Sequence, residues 1–236
     1  MIGVFDSGVG GLVSYKELRR LLPSEDILYL ADRKNAPYGI KKEEELKKLV
    51  SADIKRLRLL GADQILVACC TACTVCPLLG EDESRSVFTL IAPTAEYIAR
   101  LKEQGQKNER ILIIATERTV NSEVFSAEIR KTTPRADIIP LSAQELVYHV
   151  ESGARDGKLS KNSEEYLNRL CERINSYEPD LLVLGCTHFS HLEREIGHRL
   201  PSARILSPAK IGALALSEKI KTIMKNQGSG KSLYTE

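Results

Sequence analysis

The chain has no tryptophan, and aromatic residues make up only 5% of its 236 positions. That leaves little surface for stacking bases or sugars. It also lacks an excess of either charge. The 34 Lys and Arg nearly balance the 32 Asp and Glu, for a net charge of +2. The basic footprint of a nucleic-acid binder is therefore missing. No apolar run approaches the roughly 18 residues a membrane helix needs, so no membrane partner is expected. The opening stretch "MIGVFDSGVGG" has neither the charged start nor the long apolar core of an export signal. A cytoplasmic chain with its six cysteines reduced is the expectation.

What is present is an ordinary apolar content of 42%, in a chain long enough for one large domain or two small ones. Short apolar runs predict strands at Ile2–Phe5, Ile27–Leu30, Gln64–Ala68, Val87–Ile91, Ile111–Ala115, Ile138–Pro140, Leu181–Leu184 and Arg204–Leu206. Unbroken runs such as "ILII" and "LLVL" mark strands buried on both faces of a parallel sheet. Leu46, Leu49, Val50, Ile54, Leu57 and Leu60 recur at helical spacing, with Gly61 as the stop. The alternation of strand and helix predicts an α/β protein.

The sequence also echoes itself. "ILVACCT" at Ile65–Thr71 and "LLVLGCTH" at Leu181–His188 are each a buried strand ending at a cysteine and a threonine. Two related α/β halves are expected, joined near "APTAEY" at Ala92–Tyr97. The first half takes residues 1–92 with 206–236 and carries Cys69. The second takes 93–205 and carries Cys186. The polar tail "KNQGSGKSLYTE" is expected to fray. Its "GSGKS" is not a phosphate loop, because position 225 is Lys where that motif needs Gly.

Four of the six cysteines, Cys69, Cys70, Cys73 and Cys76, crowd into "ACCTACTVCP". The spacing imitates part of an iron–sulfur run but lacks the cysteine that must stand before the proline. No metal site is expected, and Cys73 and Cys76 read as small apolar fillers. Cys69 is different, because it ends a buried strand just before a helix starting near Thr71. That placement is expected to lower its pKa and make thiolate available. Cys186 holds the matching place, with Thr187 and His188 after it. A single cysteine of this kind suits a Cys–His nucleophile. Two matched ones suit an acid and a base opposed across a cleft. "DSGVGG" at Asp6–Gly11 adds a glycine-rich turn at another strand tip, the place where open α/β sheets bind ligands.

"GVFDSGVGGL", "APYG", "VACCTA", "ATERTVNSEVF" and "LGCTHF" occur in this order across both halves. The set resembles the glutamate racemase branch of the aspartate/glutamate racemase family. The resemblance implies two pseudo-symmetric α/β domains with the site in the cleft between them. It implies a two-base racemisation without a cofactor, on a small acidic amino acid, in a homodimer. Cys69 would take the Cα proton of the D-enantiomer and Cys186 that of the L-enantiomer. Asp6 would assist Cys69, and His188 would assist Cys186. Glu151 would support Cys186 as well, with Glu145 a rival for that place. Substrate binding would fall to Asp6, Ser7, Tyr38, Gly39, Cys70, Thr71, Thr119, Thr187 and His188. D-glutamate for peptidoglycan would be the product's use.

The chain departs from the family pattern in places. Cys70 stands where Asn is usual, and a thiol is the weaker hydrogen-bond donor. Phe189-Ser190-His191 replaces Tyr-Pro-Leu, and Ser207 replaces an acidic residue before Pro208. The Cys70 replacement leaves open a racemase of aspartate or another acidic amino acid, or an inactive paralogue that binds such a ligand.

Overall fold

The computed structural model describes residues 1–107, 109–152, 159–223 and 232–235. Its strands are β1 (Ile2–Asp6), β2 (Ile27–Ala31), β3 (Gln64–Val67), β4 (Val87–Phe88), β5 (Arg110–Ala115), β6 (Asp137–Ser142), β7 (Leu181–Gly185), β8 (Arg204–Leu206) and β9 (Ser232–Thr235). The helices are α1 (Leu12–Leu21), α2 (Glu43–Leu59), α3 (Cys70–Cys73), α4 (Glu81–Ser84), α5 (Ile91–Glu103), α6 (Glu117–Asn121), α7 (Val124–Thr132), α8 (Gln144–Glu151), α9 (Lys161–Asn175), α10 (Glu193–Arg199) and α11 (Pro208–Ile223).

Two parallel sheets result, each flanked by helices. One has the order β4-β3-β1-β2-β9 and the other β6-β5-β7-β8. β1, β2 and β7 are buried along their whole length, as their unbroken apolar runs require. Helix α2 shows how local chemistry sets the ends. Glu43, Glu44 and Glu45 occupy its first turn and Arg56 and Arg58 its last, each matched to the helix dipole. Gly61 follows in the left-handed region at φ 93°, which only glycine adopts at little cost.

Two expectations need correction. The run Val87–Ile91 is a strand only over Val87–Phe88, because Ile91 already opens α5. The tail does not simply fray. Ser232–Thr235 adds a parallel edge strand to β2, and Tyr234 stacks on Tyr29 with ring centres 5.7 Å apart. Residues 228–231 of the "GSGKS" stretch lie outside the described residues. The "APTAEY" segment lies inside the continuous helix α5, which packs on both α7 and α11. Helix α11 also returns to α1, where the Ser14 hydroxyl donates to the Ala209 carbonyl at 2.9 Å.

Candidate active site

All strands of each sheet run the same way, so their C-terminal tips gather at one end. Asp6 ends β1, Cys69 follows β3, Thr116 follows β5, Gln144 follows β6 and Cys186 follows β7. Cys69 and Cys186 leave their strands with nearly the same backbone, at φ −134°, ψ 114° and φ −138°, ψ 132°. Each then enters a short helical turn, so the echo in the sequence is an echo in conformation.

Cys69 and Cys186 line one cavity of about 240 Å³. From the first sheet's side its wall also takes Ser7, Gly8, Tyr38, Gly39 and Thr71. From the second side it takes Thr116, Gln144, Glu151, Thr187 and His188. This is the size and mixed lining of a small-ligand site. Asp6, Cys70 and Thr119 are buried but are not among the lining residues. Thr119 stands one layer back, its hydroxyl 3.2 Å from that of Thr71 and 2.8 Å from that of Thr116.

The two thiols have unlike surroundings. The Ser7 hydroxyl lies 3.6 Å from Cys69 Sγ. Asp6 is fully buried behind it and accepts from the Gly8 amide at 2.7 Å and from the Thr187 hydroxyl at 3.0 Å. That last bond ties the strand tip of one sheet to the loop of the other. On the opposite wall, Cys186 Sγ is 3.7 Å from His188 Nδ1, and His188 Nε2 is 2.6 Å from Glu151 Oε1. Glu145, the rival, instead lies 3.7 Å from His149.

Electrostatics follow from this arrangement. Burial, reinforced by the negative Asp6, pushes the Cys69 thiol well above its usual range. The expected lowering does not prevail: the Ala72 amide at the start of α3 and the Ser7 hydroxyl pull the thiol down, and full desolvation outweighs both. Burial also raises Asp6, against the opposing pull of His188 and its hydrogen bonds. Burial works against a charged His188. Hydrogen bonds to Cys186 and Glu151, then the charge interactions with Cys186 and Asp6, overcome it and lift His188 to about 10. A doubly protonated ring can donate to the sulfur through Nδ1 and to Glu151 through Nε2. Burial alone pushes Cys76 up to about 12, as befits a thiol filling space.

Thr116, Gln144 and Arg33 also line the cavity and escaped the sequence reading. Thr116 carried a usable signal, since it follows a buried strand as Cys69 does. Arg33 carried none. Among the described residues, no three His, Cys, Asp or Glu side chains cluster to hold a metal, and no helix is long and apolar enough to cross a membrane.

The fold and site define an α/β protein of two parallel sheets that presents one thiol from each to a shared small-molecule cavity. The Asp/Glu/hydantoin racemase model matches residues 13–216, and the chain belongs to that family. It is 34% identical to a glutamate racemase of Gloeobacter violaceus, over 89% of this chain and 76% of that protein. The glutamate racemase isoform RacE1 of Bacillus anthracis superposes with a TM-score of 0.87 at 28% identity, covering 99% of this chain and 86% of the other. The Escherichia coli glutamate racemase, solved with L-glutamate and the activator UDP-MurNAc-Ala, superposes with a TM-score of 0.79 at 28% identity. That match covers 100% of this chain and 88% of the other.

Proposed function

We propose that this chain interconverts L- and D-glutamate by a two-base mechanism, with Cys69 and Cys186 as the acid and base. The observation that carries the reading is the shared cavity, lined by one matched thiol from each sheet. Inverting a stereocentre requires removing the Cα proton from one face and returning one to the other. At the start of each turnover one sulfur must be ionised and the other protonated. Burial and Asp6 keep the proton on Cys69. On the other wall His188, oriented by Glu151, faces Cys186 as a proton donor, and the two-base reading takes Cys186 as the ionised sulfur. That state suits L-glutamate: Cys186 removes its proton and Cys69 supplies one to the far face. The reverse state serves the D-enantiomer.

The carbanion-like species between the two steps needs electrostatic support in a water-poor site. Hydroxyls of Ser7, Thr71, Thr116 and Thr187 are at hand, together with the backbone at Tyr38 and Gly39. Cys70 and Thr119 act from behind the wall, and no cofactor takes part. The two lobes of this reading are residues 1–92 with 206–236 and residues 93–205. A cytoplasmic homodimer supplying D-glutamate to peptidoglycan belongs to the same proposal, and sedimentation equilibrium checks the dimer.

The test is a circular-dichroism assay with both enantiomers of glutamate and aspartate under reducing conditions. Wild type should racemise glutamate and place solvent deuterium at Cα, whereas Cys69→Ser and Cys186→Ser should each lose at least about a hundredfold in kcat. Deuterium entering aspartate but not glutamate would move the substrate to aspartate. No exchange in either would leave only a binding protein.

A further inference from the structure

Behind the cavity wall, the Tyr38 hydroxyl lies between two carboxylates. It is 2.5 Å from Asp32 Oδ2 and 3.0 Å from Asp53 Oδ2. All three residues are buried. The Asn35 amide donates to both oxygens of Asp32, at 2.9 and 3.0 Å. A phenol has one proton to give and two acids in reach. Asp32 already collects the Asn35 amide and the shorter Tyr38 contact, which marks it as the acceptor of the phenol's proton. The contact to Asp53 then becomes a hydrogen bond only if Asp53 carries the proton.

We infer that Asp53 is a positioning residue: as a neutral acid it donates to the Tyr38 hydroxyl, which donates to Asp32, and this one-way chain pins the Tyr38–Gly39 turn against the cavity. Nothing in the proposed reaction uses Asp53, which stands on α2, behind Tyr38, and does not line the site. Tyr38 and Gly39 do line it.

The surrounding charges agree. Burial first, and then the charge of Asp32, push Asp53 up to about 7; Arg56 pulls the other way, as would the Tyr38 proton if it were turned toward Asp53 instead of Asp32. Arg56, one turn on along α2, also donates to the Thr235 hydroxyl of β9. From α4, Glu83 is taken up by Ser51 and Lys55. The thiols Cys70 and Cys73 of α3, and Cys76 after it, are buried and held protonated. Burial likewise keeps the Tyr38 phenol protonated.

An acid whose folded pKa is raised, here from 3.8 to about 7, favours the fold while protonated. That stability is complete below the unfolded value and disappears as pH rises through the folded one. Above it, Asp53 has no proton to give the phenol and the turn loosens.

The kinetic arm of the test rests on the glutamate reading and the thermal arm does not. Asp53→Asn keeps a donor toward Tyr38 at every pH, and Asp53→Leu removes it at every pH. By calorimetry, the melting temperature of Asp53→Asn should gain on wild type between about pH 4 and about pH 7, the interval from the unfolded to the folded value. In wild type KM should rise about three- to tenfold between about pH 6 and about pH 8, where the folded Asp53 ionises, with kcat nearly constant. Asp53→Asn should hold KM low throughout, and Asp53→Leu should hold it high. Parallel pH profiles of wild type and Asp53→Asn in the melting series would overturn the inference even if neither protein turned over glutamate. A pH-dependent kcat with flat KM would overturn the positioning role.

Discussion

Glu151 reaches His188 from the last turn of α8 at 2.6 Å, and His188 in turn addresses Cys186. The carboxylate touches no reacting atom of the proposed reaction, so its part is to hold the imidazole oriented and charged. Glu151→Gln keeps the shape and removes the charge. It should lower kcat/KM by about ten- to a hundredfold from either enantiomer, checked by the dichroism assay. At this scale much of the candidate cavity lining was legible. Cys69, Cys186 and His188 stand in motifs whose strand-end position is readable from apolar runs. The state of the Cys69 thiol was not, since it depends on burial and on Asp6, which one-dimensional spacing does not report. The departures from the family pattern gain a partial account. Ser190 and Ser207, read as separate oddities, meet with hydroxyls 2.8 Å apart, and His191 Nε2 lies 3.2 Å from the Val9 carbonyl oxygen.

At the scale of elements, the strands found by their apolar runs survive with small shifts of boundary, because burial on both faces leaves a dense signature. β9 had none. "SLYT" is short, follows a polar stretch and leaves Leu233 and Tyr234 about half exposed. Its place depends on what β2 offers: an open edge and the ring of Tyr29. The same Tyr29 donates to the Gly8 carbonyl at 2.9 Å, and Gly8 lines the cavity. A chain ended at residue 231 should therefore lose about 1–2 kcal/mol of stability, read as a melting point lower by roughly 2–8 °C. If the strand supports the site through Tyr29, KM should rise as well.

At the scale of the molecule, one hydrophobic core runs under both sheets, and polar bonds tie their tips together around the cavity. The Thr187–Asp6 bond, the Thr71–Thr116 pair at 2.9 Å and the Arg118–Glu43 ion pair at 2.6 Å all join them. A ligand filling the cavity adds contacts to both sides at once. L-glutamate at about a hundredfold excess over its Kd should raise the melting temperature by about 5–10 °C. The double variant Cys69→Ser/Cys186→Ser should keep that rise with turnover gone, which scanning calorimetry reads directly. The two-part architecture was visible in the sequence as a repeated strand–Cys–Thr phrase. The interlocking of the parts was not, because bonds such as Thr187 to Asp6 join residues 181 positions apart.

The unlike furnishing of the two walls, a serine and a buried aspartate on one, a clamped histidine on the other, has a limit set by thermodynamics. Mirror-image amino acids have identical free energies in water, so no arrangement of side chains can steer the destination of their exchange. Asymmetry can show itself only as paired changes in kcat and KM, whose quotient stays equal whichever hand is supplied first.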